Sequence, residues 1–364
     1  MNIAYCDHSY HQKTRSTLFL PELLLKNGHN VQFFWDSKWN GGAPVRFQQL
    51  QEFDAIIIFQ AIPHGLPHCV AKFHPNVIFI PMLDQFGIAK GPLFDLSRLW
   101  KLFHGSKILS FSKAIHAIAT SNGIASTYCQ YMPPNIGQDP PTGQNCSRDC
   151  LHVFFWARRA SEISIDTVGK LLREHQGHLS LHVHLTADPG ELITSAADVR
   201  STFKNCQSLS ISHWFEHKTE VLEIIKNCDV YIAPRLEEGI GQSFLEALSA
   251  GLCVVAPNNG TMNEYLVDGV NGLLYDPLQP KPLQLNDIER IRQNARRTAI
   301  QLHRNWKNDQ VRILDFITRP SSACYEQQHV YHGIEKQSST FISLHIHRYM
   351  KRLLRNIRVY LDIV

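Results

Sequence analysis

Short apolar segments alternate with segments of helical length along most of this chain, and that alternation restricts its fold more than any other feature. A helical pattern over 16–29 ends at Gly28, a residue type that commonly terminates helices. Segments rich in β-branched and aromatic residues occur at 2–6, 31–35, 55–59, 77–82, 107–112 and 126–133. Strands separated by helices in this way predict β-α units and a mostly parallel, buried sheet.

The alternation stops at 137–150, where glycine, proline and polar residues follow one another without periodicity, and it then resumes. The second series places strands at 151–157, 179–185, 209–215, 229–234, 253–257 and 272–276, and helices at 166–175, 219–228 and 286–306. A chain of 364 residues is long enough for two domains. We therefore predict an α/β protein with two Rossmann-like, doubly wound domains over 1–136 and 151–320, a linker over 137–150 and a C-terminal extension over 321–364. Such domains are expected to face a cleft at the carboxyl ends of their strands.

The C-terminal extension ends in a basic amphipathic segment, 342–364, for which two interpretations remain open. Its apolar residues recur at steps of three and four, as on one side of a helix: Ile346, Met350, Leu353, Ile357, Leu361 and Val364. Arginines and a lysine occupy the other sides of this predicted helix. The helix either packs back on the N-terminal domain with its arginines in water, or lies on an anionic membrane surface.

Composition and short motifs argue against several classes of protein. The N-terminal segment does not resemble a signal peptide, and no apolar run of about 18 residues predicts a transmembrane helix. We expect a cytoplasmic protein, either free or peripheral at the cytoplasmic face of the membrane. Nine cysteines without a C-x-x-C pair indicate reduced thiols, and twenty scattered histidines without an H-E-x-x-H motif predict no metal site. A formal charge of +4 gives no reason to expect a nucleic-acid partner.

The segment EEGIGQSFLEALSAG at 237–251 concentrates the residues that can carry chemistry. Glu238 lies in a loop after an apolar strand, and Gly239 and Gly241 allow backbone N–H groups to approach a ligand closely. The following residues, QSFLEALSA, predict a helix, and the start of a helix is suited to a diphosphate or another anion. Glu246 lies within the first turns of that helix, so the two glutamates can face one ligand from two sides.

The block 231–277 resembles the donor-binding signature of the retaining GT-B glycosyltransferases of family four, also called glycosyl transferases group 1. Their E-x7-E pattern corresponds to Glu238 and Glu246, their glycine turn to EGIG, and the end of their helix to EALSAG. Their next β-α unit corresponds to VVAPNNGTMNEYLVDGVNGLL, and the two-domain pattern extends the resemblance over 1–310. The resemblance implies the GT-B fold, a nucleotide-sugar donor and chemistry without a metal or other cofactor. The absence of a D-x-D pair from the chain agrees with a metal-independent class.

The resemblance also implies a role for each residue of the signature. Glu238 is expected to contact the transferred sugar as the catalytic residue, and Glu246 to bind the ribose hydroxyls of the nucleotide. Glu237 is expected to face solvent. The donor sugar or its phosphates are expected to contact the turn and the helix start, at Gly239, Ile240, Gly241 and Gln242.

The residues for binding the diphosphate depart from the family pattern. The family places an arginine, and five residues later a lysine, after the first strand of the second domain. Here Arg158 and Arg159 follow that strand, but Ile163 and Ser164 stand where the lysine is expected. We expect Arg158 to hold the phosphates with its planar fork of donors, and either Arg159 or the basic N-terminal loop to compensate for the missing lysine.

Positions in the first domain are open to two interpretations. The family's glycine pair after the first strand is absent, and the loop CDHSYHQKTRS stands in its place. His8, His11 and Lys13 in that loop either contact an acidic acceptor or the donor phosphates, or belong to a plain polar loop. Asp84, just past a strand end, is a candidate for an acceptor-side base.

Two further segments of the second domain allow both a binding and a capping role. The sequence TMNE at 261–264 either supplies Glu264 as a donor contact, or is only a capping box with Thr261 at the N-cap. The segment 213–221 resembles the region that lines the nucleobase. Thr219 within it is expected to be a helix N-cap without a complete capping box.

Taken with the resemblance, these residues predict a glycosyltransferase of the hexosyltransferase type, in the EC 2.4 class. It is expected to transfer a sugar to a glycan or lipid-linked acceptor with retention, in surface polysaccharide biosynthesis. One alternative is a nucleotide-sugar epimerase or a phosphorolytic enzyme, which would release an epimer or a sugar phosphate without an acceptor. Another is a non-catalytic GT-B module that binds a sugar nucleotide or a protein partner, which the missing lysine and missing glycines favour.

Overall fold

The chain forms two compact units, Met1–Gln130 with Trp306–Val364 and Tyr131–Asn305. A computed structural model describes residues 1–60, 72–86, 100, 103–134, 150–175, 178–188, 190–215 and 217–325. Each unit contains a six-stranded sheet in which every described strand pair is parallel. The predicted α/β fold with two Rossmann-like sheets is therefore confirmed.

The sheet of the first unit has the strand order β2-β1-β3-β4-β5-β6. Its strands are β1 (Asn2–His8), β2 (Asn30–Asp36), β3 (Ala55–Phe59), β4 (Val77–Ile80), β5 (Lys107–Ser110) and β6 (Ser126–Tyr128). The helices described beside it are α1 (Ser9–Thr14), α2 (Phe19–Lys26), α3 (Leu83–Phe86) and α4 (Lys113–Ser121), with short 3-10 helices at Lys38–Asn40 and Phe47–Gln49. Strands β3, β4 and β5 are buried at every residue, as expected for apolar strands covered on both faces of a parallel sheet.

The sheet of the second unit has the order β12-β11-β10-β7-β8-β9. Its strands are β7 (Leu151–Trp156), β8 (Leu179–His184), β9 (Ser208–Ser212), β10 (Val230–Ile232), β11 (Cys253–Pro257) and β12 (Leu273–Tyr275). Its helices are α5 (Ile165–Leu171), α6 (Ala196–Thr202), α7 (Lys218–Lys226), α8 (Gln242–Ser249) and the start of α9 (Ile288–Thr318), with a 3-10 helix at Met262–Glu264. The order of strands reverses between β7 and β10. In doubly wound sheets, ligands bind outside the carboxyl ends of the strands at such a reversal.

Helix α9 extends to Thr318, well beyond the predicted end at 306. From Trp306 onward it belongs to the first unit, where Arg312 donates to the hydroxyl of Thr127 at 2.8 Å. The units therefore divide at 130/131 and 305/306, which differs from the predicted ends at 136 and 320 because the end of α9 packs on the first sheet. The predicted linker 137–150 lies outside the described residues except for Cys150, as does the extension beyond residue 325.

Lys107 holds the end of α9 against the first sheet. Its side chain is fully buried, and its ammonium donates to the backbone carbonyls of Phe316, Ile317 and Arg319. The last carbonyls of a helix lack intrahelical donors and carry partial negative charge, so a buried cation satisfies them on both counts.

We expect Lys107→Met to lower the free energy of unfolding by about 2 kcal/mol, because buried carbonyls lose their donor.

Burial lowers the pKa of Lys107 to about 8, below its value in an unfolded chain. The unfolded chain therefore holds this proton more tightly, and the stability that Lys107 contributes rises with pH from about 8 to about 10. Urea denaturation at several pH values measures both effects. Lys113→Met, at an exposed position, is the matched control, and an equal effect of both variants would contradict the assignment.

Candidate functional site

Two loops meet at the carboxyl edge of the second sheet, where the strand order reverses. One loop follows Trp156 at the end of β7, and the other follows Ile232 at the end of β10. These two strands are neighbours and pair in register, Val230 with Val153 and Ile232 with Phe155. The topology therefore brings together residues that are separated by about 75 positions in the sequence.

Arg158 and Arg159 share one carboxylate in the loop after β7. Their Nε atoms lie 2.6 Å and 2.7 Å from the two carboxylate oxygens of Asp188. Burial by itself would raise the pKa of Asp188, but the two guanidinium groups lower it below its ordinary value. Asp188 therefore stays ionised and fixes the orientation of both arginines.

The two arginines differ in what remains available to a ligand. The Arg158 guanidinium lies 5.1 Å from the centre of the Trp156 ring, and its two terminal nitrogens bond to no group in the described part of the chain. Arg159 also donates to Glu162 at 2.8 Å and lies 4.0 Å from Glu191. Burial favours a lower pKa for Arg159, yet Glu162 and Asp188 raise it overall. Arg158 thus presents an open fork of donors, whereas Arg159 is held by carboxylates.

The loop after β10 is buried and carries the predicted catalytic residue. Glu238 is 4% exposed, and its Oε2 lies 3.2 Å from Nη1 of Arg235, which is 5% exposed. Thr261 donates to the backbone carbonyl of Glu238 at 2.7 Å, and the backbone N–H of Leu236 donates to Glu162 at 3.0 Å. A charge held by a buried partner in this way keeps a defined position.

Glu237 does not face solvent, and that expectation is wrong. It is 8% exposed, and Asn259 donates to its Oε1 at 3.3 Å. The loop at 258–261 can lie against it because Gly260 has no side chain: a Cβ there would be 3.1 Å from the Glu237 Cα. Gly260 also has a φ of +62°, which glycine adopts without strain.

The predicted glycine turn leads directly into α8. Gly239 and Ile240 are buried, Gly241 is the N-cap residue with a φ of +73°, and Gln242 begins the helix. Gly241 has no side chain that could cap α8, and within the described residues no side chain accepts from the N–H groups of its first turn. The start of this helix retains the partial positive charge that attracts anions.

Glu246 lies in the second turn of α8 and is buried, 8% exposed. Glu246 also lies close enough to Tyr231 to affect it: burial most of all, and also Glu238 and Glu246, raise the pKa of the Tyr231 phenol, while Ser243 and Arg158 lower it. The two glutamates and Arg158 therefore all lie around the end of β10. These three side chains thus lie near one another, and their roles in binding a donor stay predictions.

Gly241→Ala is expected to lower the free energy of unfolding by about 1–2 kcal/mol through the left-handed backbone alone. The new Cβ would also lie 3.0 Å from the Phe244 ring and 3.3 Å from the Glu238 Cβ, so the loop should shift and donor affinity should fall. Gly269→Ala is the matched control, because Gly269 has a φ of +67° and nothing within 4 Å of its Cβ position. Equal affinity in both variants, measured by calorimetry, would contradict this account.

Both capping assignments in the second unit need correction. Thr261 does not cap the 3-10 helix Met262–Glu264, because its hydroxyl donates to Glu238 instead, so Glu264 is not part of a capping box. Glu264 is half-buried. Helix α7 begins after His217 and not after Thr219, and the His217 N–H donates to the Glu220 side chain at 3.1 Å. Glu220 therefore belongs to the helix start.

A second cluster lies at the carboxyl end of β1 in the first unit. Asp7 is fully buried and accepts from the His8 N–H at 2.7 Å, the Thr17 hydroxyl at 2.6 Å and the Nδ1 of His11 at 2.7 Å. Nδ1 of His11 faces Asp7, and within the described residues its Nε2 makes no hydrogen bond. Burial and the nearby His11 lower the pKa of His8 to about 4, and its Nδ1 accepts from the Tyr10 N–H.

The other candidates of the first unit occupy separate positions. Lys13 is exposed in α1, and Asp84 lies in the first turn of α3, beyond the end of β4. Asp84 and the Asp7–His11 pair thus follow different strands at the same edge of a parallel sheet. Within the described residues, no three His, Cys, Asp or Glu side chains are grouped as metal ligands, and no helix is long and apolar enough to cross a membrane.

Sequence reasoning missed Asp188, Glu162 and Arg235. Each had a signal in the sequence, although a weak one. Asp188 follows β8, the strand beside β7, while Glu162 and Arg235 stand three residues from Arg159 and Glu238 respectively. An acid and a base at such spacing can pair when the local chain is compact.

Residues 205–306 match the family model of glycosyl transferases group 1. The matched segment contains the loop after β10, helix α8 and the 3-10 helix at Met262–Glu264. The chain carries a glycosyl transferases group 1 domain. The family predicted from the sequence is confirmed, and it is a family of transferases, as the predicted enzyme class requires.

Two curated relatives each match part of the chain. An uncharacterized glycosyltransferase of Methanocaldococcus jannaschii is 28% identical over 81 residues, which is 22% of this chain and 23% of the relative. The N,N'-diacetylbacillosaminyl-diphospho-undecaprenol alpha-1,3-N-acetylgalactosaminyltransferase of Campylobacter jejuni is 27% identical over 94 residues, 24% of this chain and 25% of the relative. The alignments thus span about a quarter of the length of these relatives.

Solved structures resemble the fold over most of the chain. HepE of Anabaena, in complex with UDP, has a TM-score of 0.61 at 13% identity and covers 92% of this chain and 100% of its own. The lipopolysaccharide outer core galactosyltransferase WaaB has a TM-score of 0.54 at 14% identity, with the same coverage. At this identity the similarity concerns the fold, and it confirms the predicted GT-B class.

Proposed function

We propose that this chain is an active glycosyltransferase that transfers a sugar from a nucleotide-sugar donor to a glycan or lipid-linked acceptor. The observation that carries the proposal is the convergence of the Arg158 fork, the buried Glu238 and Glu246, and the uncapped start of α8 at the strand reversal of the second sheet. Donors for phosphate and acceptors for sugar hydroxyls at that edge of the sheet support recognition of a nucleotide sugar.

Each group has a definite role in the proposed reaction. The terminal nitrogens of Arg158 and the first-turn N–H groups of α8 bind the diphosphate and stabilise its charge as it leaves the sugar. Glu238 accepts hydrogen bonds from the transferred sugar, and Glu246 accepts them from the ribose hydroxyls. The backbone at Gly239, Ile240 and Gly241 approaches the donor closely. Glu264 remains a proposed donor contact.

The first unit supplies the acceptor contacts in this proposal. His11, oriented by Asp7, is better placed for an acceptor hydroxyl than Asp84, because one ring nitrogen is fixed and the other is left for a ligand. His8, Lys13 and Asp84 are further acceptor contacts. The name of the Campylobacter relative, which contains a diphospho-undecaprenol acceptor, favours a lipid-linked acceptor for this chain also.

Several finer features of the function rest on the family resemblance. We propose retention of configuration, chemistry without a metal or other cofactor, and a role in surface polysaccharide biosynthesis. The UDP bound to the Anabaena neighbour favours a uridine nucleotide as the first donor to test. A cytoplasmic location, with the basic segment 342–364 lying on the anionic membrane face, would bring the enzyme to a lipid-linked acceptor, and no nucleic acid takes part.

The test is incubation of the full chain with a panel of nucleotide sugars and lipid-linked acceptors, with products identified by mass spectrometry. We expect a glycosylated acceptor and free nucleoside diphosphate, with the same rate after addition of EDTA. An epimer or a sugar phosphate formed without acceptor would instead indicate the epimerase or phosphorolytic alternative. Binding of a nucleotide sugar without any turnover would indicate the non-catalytic module.

A further inference from the structure

A continuous series of contacts connects Arg158 to Glu238 across the carboxyl edge of the second sheet. It runs from Arg158 through Asp188 to Arg159, with distances of 2.6 Å and 2.7 Å. It continues from Arg159 to Glu162 at 2.8 Å and from Glu162 to the backbone N–H of Leu236 at 3.0 Å. Leu236 is the neighbour of Arg235, which contacts Glu238 at 3.2 Å.

Glu162 bonds to both loops. One of its carboxylate oxygens accepts from a side chain of the loop after β7, and the other accepts from the backbone of the loop after β10. Its side chain is about one-quarter exposed, so water screens these bonds only in part. Arg235 also lies close enough to Arg159 to lower the pKa of Arg159 by charge repulsion. The 235–238 loop and Arg159 therefore interact electrostatically as well.

We propose that Glu162 is a positioning residue that couples recognition of the donor diphosphate to recognition of the donor sugar. This inference rests on the proposed function, in which Arg158 binds phosphate and Glu238 binds sugar. When phosphate binds the arginine pair that Asp188 orients, Glu162 holds the backbone of Leu236, and the loop then presents Glu238 in the geometry that the sugar requires. The diphosphate and the sugar both require the loops after β7 and β10 to be ordered. Once one part of the donor has ordered these loops, the other part binds more tightly.

Glu191 provides a matched control for this role. It also lies beside Arg159, at 4.0 Å, and accepts from the Ser161 hydroxyl at 2.6 Å. No bond of Glu191 reaches the loop after β10 within the described residues. Glu191→Gln therefore removes one negative charge near Arg159 while it leaves the connection between the loops in place.

The experiment is calorimetric titration of the full chain with pairs of ligands: UDP with UDP-glucose and UDP-N-acetylglucosamine, GDP with GDP-mannose, and ADP with ADP-glucose. The quantity of interest is the ratio of the Kd of the nucleoside diphosphate to the Kd of its sugar conjugate. We expect Glu162→Ala to lower that ratio about 10-fold, with little change in the affinity for the nucleoside diphosphate alone. Glu191→Gln should leave the ratio unchanged. A merely structural role of Glu162 would weaken both ligands equally and would not move the ratio.

Two further variants keep the test decisive. Glu162→Gln retains the shape of the side chain and one acceptor oxygen, so it should fold even where Glu162→Ala does not, and it should lower the ratio in the same direction. In an Arg159→Met background, Glu162→Ala should have almost no further effect on the ratio, because both residues act through one connection.

An unchanged ratio in Glu162→Gln would overturn the inference, and so would fully additive effects of Arg159→Met and Glu162→Ala on the ratio. Failure of the wild-type chain to bind any ligand of the panel would instead overturn the proposed function.

Discussion

Glu238→Gln is expected to lower the rate of sugar transfer about 100-fold or more, the usual loss when a buried group that stabilises the transition state is removed. Glutamine keeps the size of the side chain but loses the charge that Arg235 faces at 3.2 Å. The amide is therefore both a weaker acceptor for sugar hydroxyls and a poor partner for a buried guanidinium. Steady-state kinetics with saturating donor should show the loss in kcat, while the Kd for the free nucleoside diphosphate changes little.

The neighbouring residue gives the control for this substitution. Glu237 is buried in the same loop, and in Glu237→Gln the side-chain oxygen can still accept from Asn259. We expect Glu237→Gln to retain most of its activity. Comparable losses of kcat in both variants would mean that the loop responds to any change of charge, and the assignment of Glu238 to the sugar would then be wrong.

Arg158→Met is expected to weaken binding of the nucleoside diphosphate about 100-fold, because charge-assisted hydrogen bonds to a buried or half-buried phosphate contribute several kcal/mol. Arg158→Lys should recover only part of this loss, since a lysine cannot supply two parallel donors. Isothermal titration at fixed ionic strength measures the effect. Arg173→Met, which removes an exposed arginine, should bind like the wild type. An Arg158→Met variant with wild-type affinity would contradict the phosphate assignment.

Much of the fold follows from local sequence patterns. Segments such as AIIIF at 55–59 and CVVAP at 253–257 are strands with the predicted bounds, because a buried parallel strand needs a continuous apolar run. The end of α9 was harder to predict. The sequence after Trp306 begins with four polar residues, KNDQ. The burial of Ile313 and Ile317, together with the bonds from Lys107 and Arg312, shows that this part of the helix packs on the first sheet.

The candidate site was predictable where one segment contains its residues. Glu238, the glycine turn and Glu246 all lie within 237–251, so their spacing could be compared with a family signature. Glu162 and Asp188, which hold the arginines beside this segment, lie in other β-α units. Those contacts depend on the strand order β10-β7-β8, which cannot be predicted from the spacing of residues along the chain. The burial of Glu237 depends likewise on Gly260 in a separate loop.

The central claim is that the strand reversal of the second sheet binds a nucleoside diphosphate sugar. Thermal denaturation of the full chain against a panel of nucleoside diphosphates and their sugars tests it most directly. A ligand that binds only the folded state should stabilise it by about 2.7 kcal/mol at 100 times its Kd, and we expect at least one nucleotide sugar to raise Tm in a concentration-dependent way. The same ligand should produce a much smaller rise with Arg158→Met. A panel that leaves Tm unchanged at every concentration would contradict the account.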